Sequence, residues 1–528
     1  MQKDRFAPSP VGFTSAPPQP GYLQPGYPQP GYPQPGYPPP EDPQQEHPQE
    51  HPQQHCPAHT TPPPPSMNAP TRVDSPRHGI LGGANENRPQ SNALHSAGLI
   101  FISGGMNIAW AIGVRGPIGY LVTKHNFIAW FIGAIIGSFI TCGLTNKVAK
   151  KYILLFSSAL VAIGGLVIAC SHHNGPATVA ACYLDGIANG LVFAPFLALA
   201  GELSVPYMRG RFVAKLEQLC FGIGILLQFV IPSTNNTSIS KNQFSSENMK
   251  GAISAGIGFM ALIMGSFWTI ESPVLMLANN DEQGAINTLL RLQKPAVLSE
   301  ETYELLAEHK RYLAHNKDMT LGQSISQALP TFIRLAYLRV LNAMSISSFV
   351  VITLTLSIVA INDGYTEHAW YVGFAVCRWL GNIIPSFCMD TLGRKKPTVF
   401  GLLVSCGLAF ALSVQYSWQM SGVTVLLLVF QFFSGMAFTA TSTYLSEAYP
   451  FGVKQHFIAL TFVTEMFVFL IINVCDYNLL QGYNYFYIMG GMYLAGFLLG
   501  VITLPETNLM TLRGAQQQFS SFVNLRFN

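Results

Sequence analysis

Polar residues along this chain gather into short clusters and leave twelve apolar stretches between them. These run at about residues 96–115, 126–145, 152–171, 178–201, 212–232, 251–270, 341–361, 368–389, 397–415, 423–444, 455–475 and 484–504. Each is near the roughly 20 residues that cross about 30 Å of hydrocarbon as a helix. The pattern predicts an all-α membrane protein with twelve transmembrane helices, the first set apart by Arg115 near its end. Between the sixth and seventh stretches, Asn280 to Gln293 and Ser299 to Leu313 read as amphipathic helices with Leu289, Leu290, Leu305 and Leu306 as the apolar stripe. Asn280 with Gln283 has the spacing of a capping pair at a helix start.

The polar turns repeat. Glu202 and Arg209 stand seven residues apart in GELSVPYMRG, and Glu447 and Lys454 repeat that spacing in SEAYPFGVK. Asn146 and Lys150 in GLTNKVAKK have counterparts four residues apart in Asp390 and Arg394 of MDTLGRKK. Both patterns recur at an offset of about 245 residues, the mark of a duplicated membrane unit whose six-helix halves are related by pseudo-symmetry. The expected organisation is a tail over 1–93, a six-helix half over 94–272, a helical linker over 273–340, a second half over 341–507 and a short tail over 508–528.

Composition agrees. Acidic and basic residues make up 10% of the chain and apolar residues 49%, against about 25% charged residues in a soluble domain. A net charge of +3 is too small to suggest nucleic acid, but its placement is informative. With the N-terminus inside, the inner loops carry Lys147, Lys150, Lys151, Arg209, Arg211, Lys215, Arg394, Lys395, Lys396 and Lys454. The outer connections carry Lys124, Lys241 and Lys250, which sets both termini in the cytoplasm by the positive-inside rule. Asn235 and Asn236 begin overlapping glycosylation sequons in the outer connection after the fifth stretch. The plasma membrane is the expected location.

Cys142, Cys170, Cys182, Cys220, Cys377, Cys388, Cys406 and Cys475 fall in or beside apolar stretches and read as packing residues rather than a disulfide framework. The N-terminal segment has no apolar core of signal-peptide length. Residues 21–40 repeat Gly-Tyr-Pro-Gln-Pro with small variations, a composition that predicts disorder with polyproline II character. It is either a docking tail for proline-reading domains or a solvated extension. His47, His51, His55, Cys56 and His59 follow the same low-complexity bias, and no metal or other cofactor is expected.

Five short motifs resemble the sugar porter family of the major facilitator superfamily, over about residues 95 to 510. They are Gly201-Glu202 with Arg209-Gly210, Glu271-Ser272-Pro273, Asp390 to Lys395, Ser446-Glu447 with Pro450 and Lys454, and Pro505-Glu506-Thr507. The resemblance implies a major facilitator fold and a charge network closing the inner entrance: Lys150, Glu202, Arg209, Glu271, Asp390, Arg394, Glu447, Lys454 and Glu506. Glutamates after the fourth, sixth, tenth and twelfth spans would reach Arg209, Lys150, Arg394 and Lys454 when the inner ends of the halves converge. If exposed, each pair is worth about 0.2–1 kcal/mol; the alternative is that these charges set topology and cap helix ends. Asn146 stands where the family has Asp and Lys454 where it has Arg, which implies a looser gate.

Sugars are held by amides, hydroxyls and aromatic faces near the bilayer midplane. Gln218 matches a family sugar-binding glutamine if one extra residue is allowed after Arg209-Gly210. Further candidates are Asn107, Asn342, Ser345 and Asn382, with Asn189, Ser347 and Gln431 behind them; helix–helix hydrogen bonding is the competing role for each. The family's paired glutamines in span seven are replaced by NAMSISSFVVITL. Ionisable residues within spans are expensive and hence informative: Asp185, Glu217, Arg378 and Glu465. Arg378 and Glu465 are expected to form a buried pair or, with Asp185, an ion-coupling site. Asn107, where the family's proton-linked aspartate would fall, favours a facilitative carrier.

The expectation is a multi-pass membrane carrier, not an enzyme, moving a small polar organic solute such as a sugar by alternating access. The alternatives are a non-transporting receptor or scaffold using the proline-rich tail, and a proton-coupled carrier of a non-sugar solute.

Overall fold

The computed structural model describes residues 88–116, 120–171, 174–234, 244–293, 296–361, 368–418, 420–475 and 482–525. All lie within one contact unit, Pro64–Asn528; the other unit, Met1–Pro63, lies outside them, as do the sequons at Asn235 and Asn236 and the histidines of the tail.

The first six spans are Arg88–Ala111, Lys124–Leu144, Lys150–Cys170, Gly175–Leu203, Arg209–Ser233 and Ser246–Trp268. The next six are Leu321–Ile361, His368–Leu392, Lys395–Trp418, Met420–Ala448, Lys454–Val474 and Gly482–Thr503. Among the described residues, the last eleven of these are long and apolar enough to cross a membrane. The first is more polar, with Gln90, Asn92 and His95 in its opening turns. The fold is the all-α, twelve-span arrangement that the apolar pattern predicts.

Packing reproduces the duplication. In the first half the second span packs on the fourth, the third on the sixth and the first on the fifth. In the second half the eighth packs on the tenth, the ninth on the twelfth and the seventh on the eleventh. The halves meet where the second span crosses the eleventh and the fifth crosses the eighth.

Three spans are irregular near their middles. The fifth contains a π-turn at Lys215–Leu219, a rare element that tends to mark functional sites. The seventh breaks after Ser345 and resumes at Ser348. The freed carbonyls are taken by side chains: Ser345 accepts from Gln431 Nε2 at 2.7 Å and Met344 from Tyr485 at 2.8 Å. The tenth breaks between Phe438 and Thr441.

The linker forms helices Pro273–Ala278, Glu282–Arg291 and Glu300–Lys317. The expected cap at Asn280 is corrected to Asp281, whose side chain accepts from Gly284 N at 2.8 Å. Asn280 instead takes the left-handed conformation ahead of the cap (φ 62°), and Gln283 turns to Asn287. Leu289, Leu306 and Ala285 make one small core, and Tyr312, Val274 and Leu512 another. Thr320 caps a helix that runs from Leu321 to Ser345 without interruption, so the boundary expected at 340 falls inside it. A C-terminal helix, Leu512–Ser520, joins the linker through Asn316 and Gln516 at 3.2 Å.

Candidate functional site

The face that carries the linker, the linker face, is ringed by the repeated charges. In each half, the glutamate following the last span caps the start of the third span of that half. Glu271 takes the backbone N–H of Lys150 at 2.8 Å and its ammonium at 2.7 Å. Glu506 takes the N–H groups of Arg394 and Lys395 at 2.9–3.0 Å. Carboxylates suit these positions because helix N-termini carry partial positive charge and unpaired donors.

Two ion pairs cross between the halves: Lys454 Nζ to Glu202 Oε1 at 3.2 Å and Arg209 Nη1 to Glu447 Oε1 at 3.4 Å. Glu447 also holds Arg394 at 3.1 Å, and Glu202 also accepts from Ser272 at 2.6 Å. Asp390 reaches across to the N–H groups of Gly210 and Arg211, both at 3.0 Å, and lies 4.0 Å from Arg394. Lys150–Glu271 and Arg394–Glu447 form within one half, which corrects the expectation that they need convergence. Exposure is corrected as well. The crossing pairs have side chains at most 4% accessible, so breaking one by removing a partner costs more than a surface pair is worth, up to about 3–5 kcal/mol where the charge left behind stays buried and unpaired. Gly201 makes the approach possible, because a Cβ there would lie 2.7 Å from the carbonyl of Ser446, its counterpart in the other half.

The middle of the molecule holds a second cluster. Arg339 of the seventh span forks onto Glu217 of the fifth, with Nη2 to Oε2 at 2.6 Å and Nη1 to Oε1. The same Nη1 meets Glu465 Oε2 of the eleventh at 3.1 Å. Helix rise puts Glu217 about 12 Å and Glu465 about 16 Å above Arg209 and Lys454, roughly mid-depth. The expected Arg378–Glu465 pair is corrected: Asn342 stands between them, accepting from Arg378 Nη2 at 2.5 Å and donating to Glu465 Oε1 at 2.6 Å. Arg378 otherwise donates to Ser345 Oγ at 2.9 Å and Gln431 at 3.4 Å.

Glu217, Gln218, Arg339, Asn342, Arg378, Asn382 and Glu465 line one cavity with Phe221, Phe462 and Phe469, with about 40 Å³ open to water-sized solutes. That is room for one to three waters. Phe462 stacks on Phe193 at 4.0 Å and Phe469 on Phe131 at 5.1 Å, so aromatic contacts between the halves flank the charges. Of the substrate candidates, Gln218, Asn342 and Asn382 reach the cavity; Asn107 and Ser345 lie outside its lining. Gln218 lies within the π-turn of the fifth span. Arg339 was not singled out by sequence, although Leu335, four residues before it, and Asn342, three residues after it, share its helix face.

A third cluster lies inside the first half. Asp185 accepts from Trp130 Nε1 at 2.7 Å, Asn189 at 3.0 Å and Ser103. Lys250, expected in an outer connection, is corrected to a buried position in the sixth span, bonded to Asn107 Oδ1 at 2.6 Å and 4.9 Å above the Trp110 ring. At the linker face a cavity of about 510 Å³ separates the linker helices from Glu202 and Arg209. His309 lines it, and burial, reinforced by Arg209 and Lys454 against Glu202, pushes its pKa down to about 4.

Comparison with known proteins places these features. The model of the family described as sugar (and other) transporter matches residues 122–519. YwtG of Bacillus subtilis (strain 168), named only provisionally for metabolite transport, is 24% identical over 274 residues, 51% of this chain and 56% of that protein. The chain thus aligns with little more than half the length of that curated relative. The major facilitator proton:xylose symporter XylE, solved with 6-bromo-6-deoxy-D-glucose, superposes with a TM-score of 0.68 at 16% identity, covering 81% of this chain and all of that one. The inward-open form of the xylose transporter XylE from E. coli gives 0.57 at 18% identity, covering 81% and 98%. At these identities the likeness establishes the fold, a major facilitator arrangement.

Proposed function

The chain belongs to the family of sugar (and other) transporters, and from that premise we propose that it is an alternating-access carrier of a small polar organic solute, a sugar or a molecule of similar size and polarity. One observation carries the reading. The two halves are held together at the linker face by Glu202–Lys454 and Arg209–Glu447, directly below a polar cavity at mid-depth. Opening that face requires both pairs to part, and binding free energy that differs between the closed and open forms shifts the balance. The two crossing pairs themselves support assigning the described state to closure at the linker face. Basic residues gathered there, and the removal of Lys250 from the opposite side, support placing both termini in the cytoplasm. The nine ring residues then act as the inner gate of a plasma-membrane protein.

We further assign a facilitative mode, because Asn107 offers no titratable proton in the first span and is held by Lys250. The test is uptake by the full chain in proteoliposomes against sugars, polyols and organic ions, with Glu447→Gln as control. Xylose, the sugar named for the solved relative, is the first neutral probe. Saturable exchange above empty vesicles supports the carrier. Uptake of nothing on the panel overturns it in favour of a scaffold working through its proline-rich tail. Acceleration by an imposed pH gradient that disappears in Glu465→Gln or Asp185→Asn would replace the facilitative mode by proton coupling.

A further inference from the structure

We infer that the solute is a zwitterion, its anionic group received by Arg378 and its cationic group by the carboxylates of Glu217 and Glu465. This rests on the carrier reading and narrows it. The argument is a charge count in a place where charges are costly. Four ionisable side chains line the central cavity, each at most 4% accessible: Glu217, Arg339, Arg378 and Glu465. Their sum is zero, but they are not paired evenly. Arg339 is shared between both carboxylates, which leaves that end of the cavity with one negative charge in excess. Among the described residues the hydrogen-bond acceptors on Arg378 are neutral, the amide oxygens of Asn342 and Gln431 and the hydroxyl of Ser345, and Glu465 acts on it from beyond Asn342. Arg378 leaves the other end with one positive charge in excess. Asn342 sits between, its oxygen toward Arg378 and its nitrogen toward Glu465.

A guanidinium buried on neutral acceptors gives up favourable hydration that an anion would restore through a planar two-bond fork. A carboxylate of the solute replacing Asn342 and Ser345 on that fork does this once opening has widened the cavity beyond the one to three waters it holds in the described form. An ammonium a few bonds away would meet the surplus at Glu217 and Glu465. A neutral sugar satisfies neither end, and a solute of one sign satisfies one while facing like charge at the other. Phe221, Phe462 and Phe469 supply the low-dielectric wall that makes the discrimination steep. Any hydroxyls on the solute would be read by Gln218 and Asn382, so an amino acid, a betaine or an amino-sugar acid all fit the class.

The experiment uses full-length chain in proteoliposomes with four labelled probes at equal concentration: glycine betaine, choline, gluconate and xylose. Saturable glycine betaine uptake, with the other three at least tenfold slower, is the expected result. Arg378→Gln should raise the KM for glycine betaine by about tenfold or more, the loss of a charge-assisted hydrogen bond, and narrow its advantage over choline. Arg378→Lys should recover part of it. The probe comparison is made on the unaltered chain, so it stands even if a variant fails to fold. Preferred uptake of xylose, choline or gluconate overturns the zwitterion assignment while leaving the carrier intact. Exchange of none of the four, nor of any solute on the wider panel, overturns the carrier itself.

Discussion

The two seams of the linker face occupy equivalent places and are built differently. At the second, Asp390 takes two backbone N–H groups at the start of the fifth span, and Glu447 holds Arg209 and Arg394 together. At the first, the counterpart of Asp390 is Asn146, whose oxygen takes one hydrogen bond from the Gln455 side chain at 3.2 Å, and Glu202 holds one cation, Lys454. The difference extends to the partner backbone. Gly210 lets Asp390 come so close that a Cβ would lie 2.5 Å from its Oδ1; the equivalent residue is Gln455, whose side chain intercepts Asn146 instead. The two halves thus keep equivalent positions while the chemistry of the seams differs. The second seam carries more ionic bonds per residue, and separation should begin at the first.

The largest effect should follow from breaking the stronger seam. Glu447→Gln leaves Arg209 and Arg394 buried without their shared carboxylate and should cost about 3–5 kcal/mol, read as a lower thermal midpoint in detergent and as labelling of a cysteine placed beneath the seam. A midpoint unchanged from the parent would contradict the asymmetry. Next comes the roof over both seams. His309 is neutral when docked, with a pKa near 4, while a free imidazole titrates near 6.5. Its neutral form is retained at pH 7, so docking of Glu300–Lys317 should weaken as pH falls below about 6.5 and level off below about 4, on the order of 3 kcal/mol in all. Amide exchange in that helix, corrected for intrinsic rate, reads it; a flat profile between pH 7 and 4.5 would falsify the assignment.

Glu202→Gln should cost less than Glu447→Gln, about 1.5–3 kcal/mol, since it strands one cation and keeps an acceptor for Ser272. A larger loss than at Glu447 would reverse the ranking of the seams. The smallest effect is the repair: Asn146→Asp, which tolerates the local φ of 58°, should add about 0.3–1 kcal/mol by facing the start of the eleventh span. The thermal midpoint should rise slightly, and rise further with Gln455→Gly.

The spans and the ring of charges were legible in sequence because hydrocarbon permits few charges and collects the rest at turns. What could not be read is which partner each charge takes. Lys150 and Arg394 sit at helix starts, and only the folded chain shows their glutamates arriving from their own half. Arg339 was hidden for a different reason. The polar run before it, with Arg334 and Gln327, reads as linker, yet one helix runs unbroken from Leu321 to Ser345 and carries Arg339 inward. Lys250 was misplaced in the same way by its polar neighbours Ser245 to Asn248. The pair assigned to Arg378 and Glu465 had the right residues at the right depth, but an intervening amide separates them.

The wide turn at Lys215–Leu219 has a mechanical corollary. Removing one residue from it would return the fifth span to regular winding and swing its lower segment by about 100° against the upper. Arg209 and Glu217 could then no longer meet Glu447 and Arg339 at once. That turn is a phase adapter: it allows a single rod to be in register with one partner at the rim and another at mid-depth.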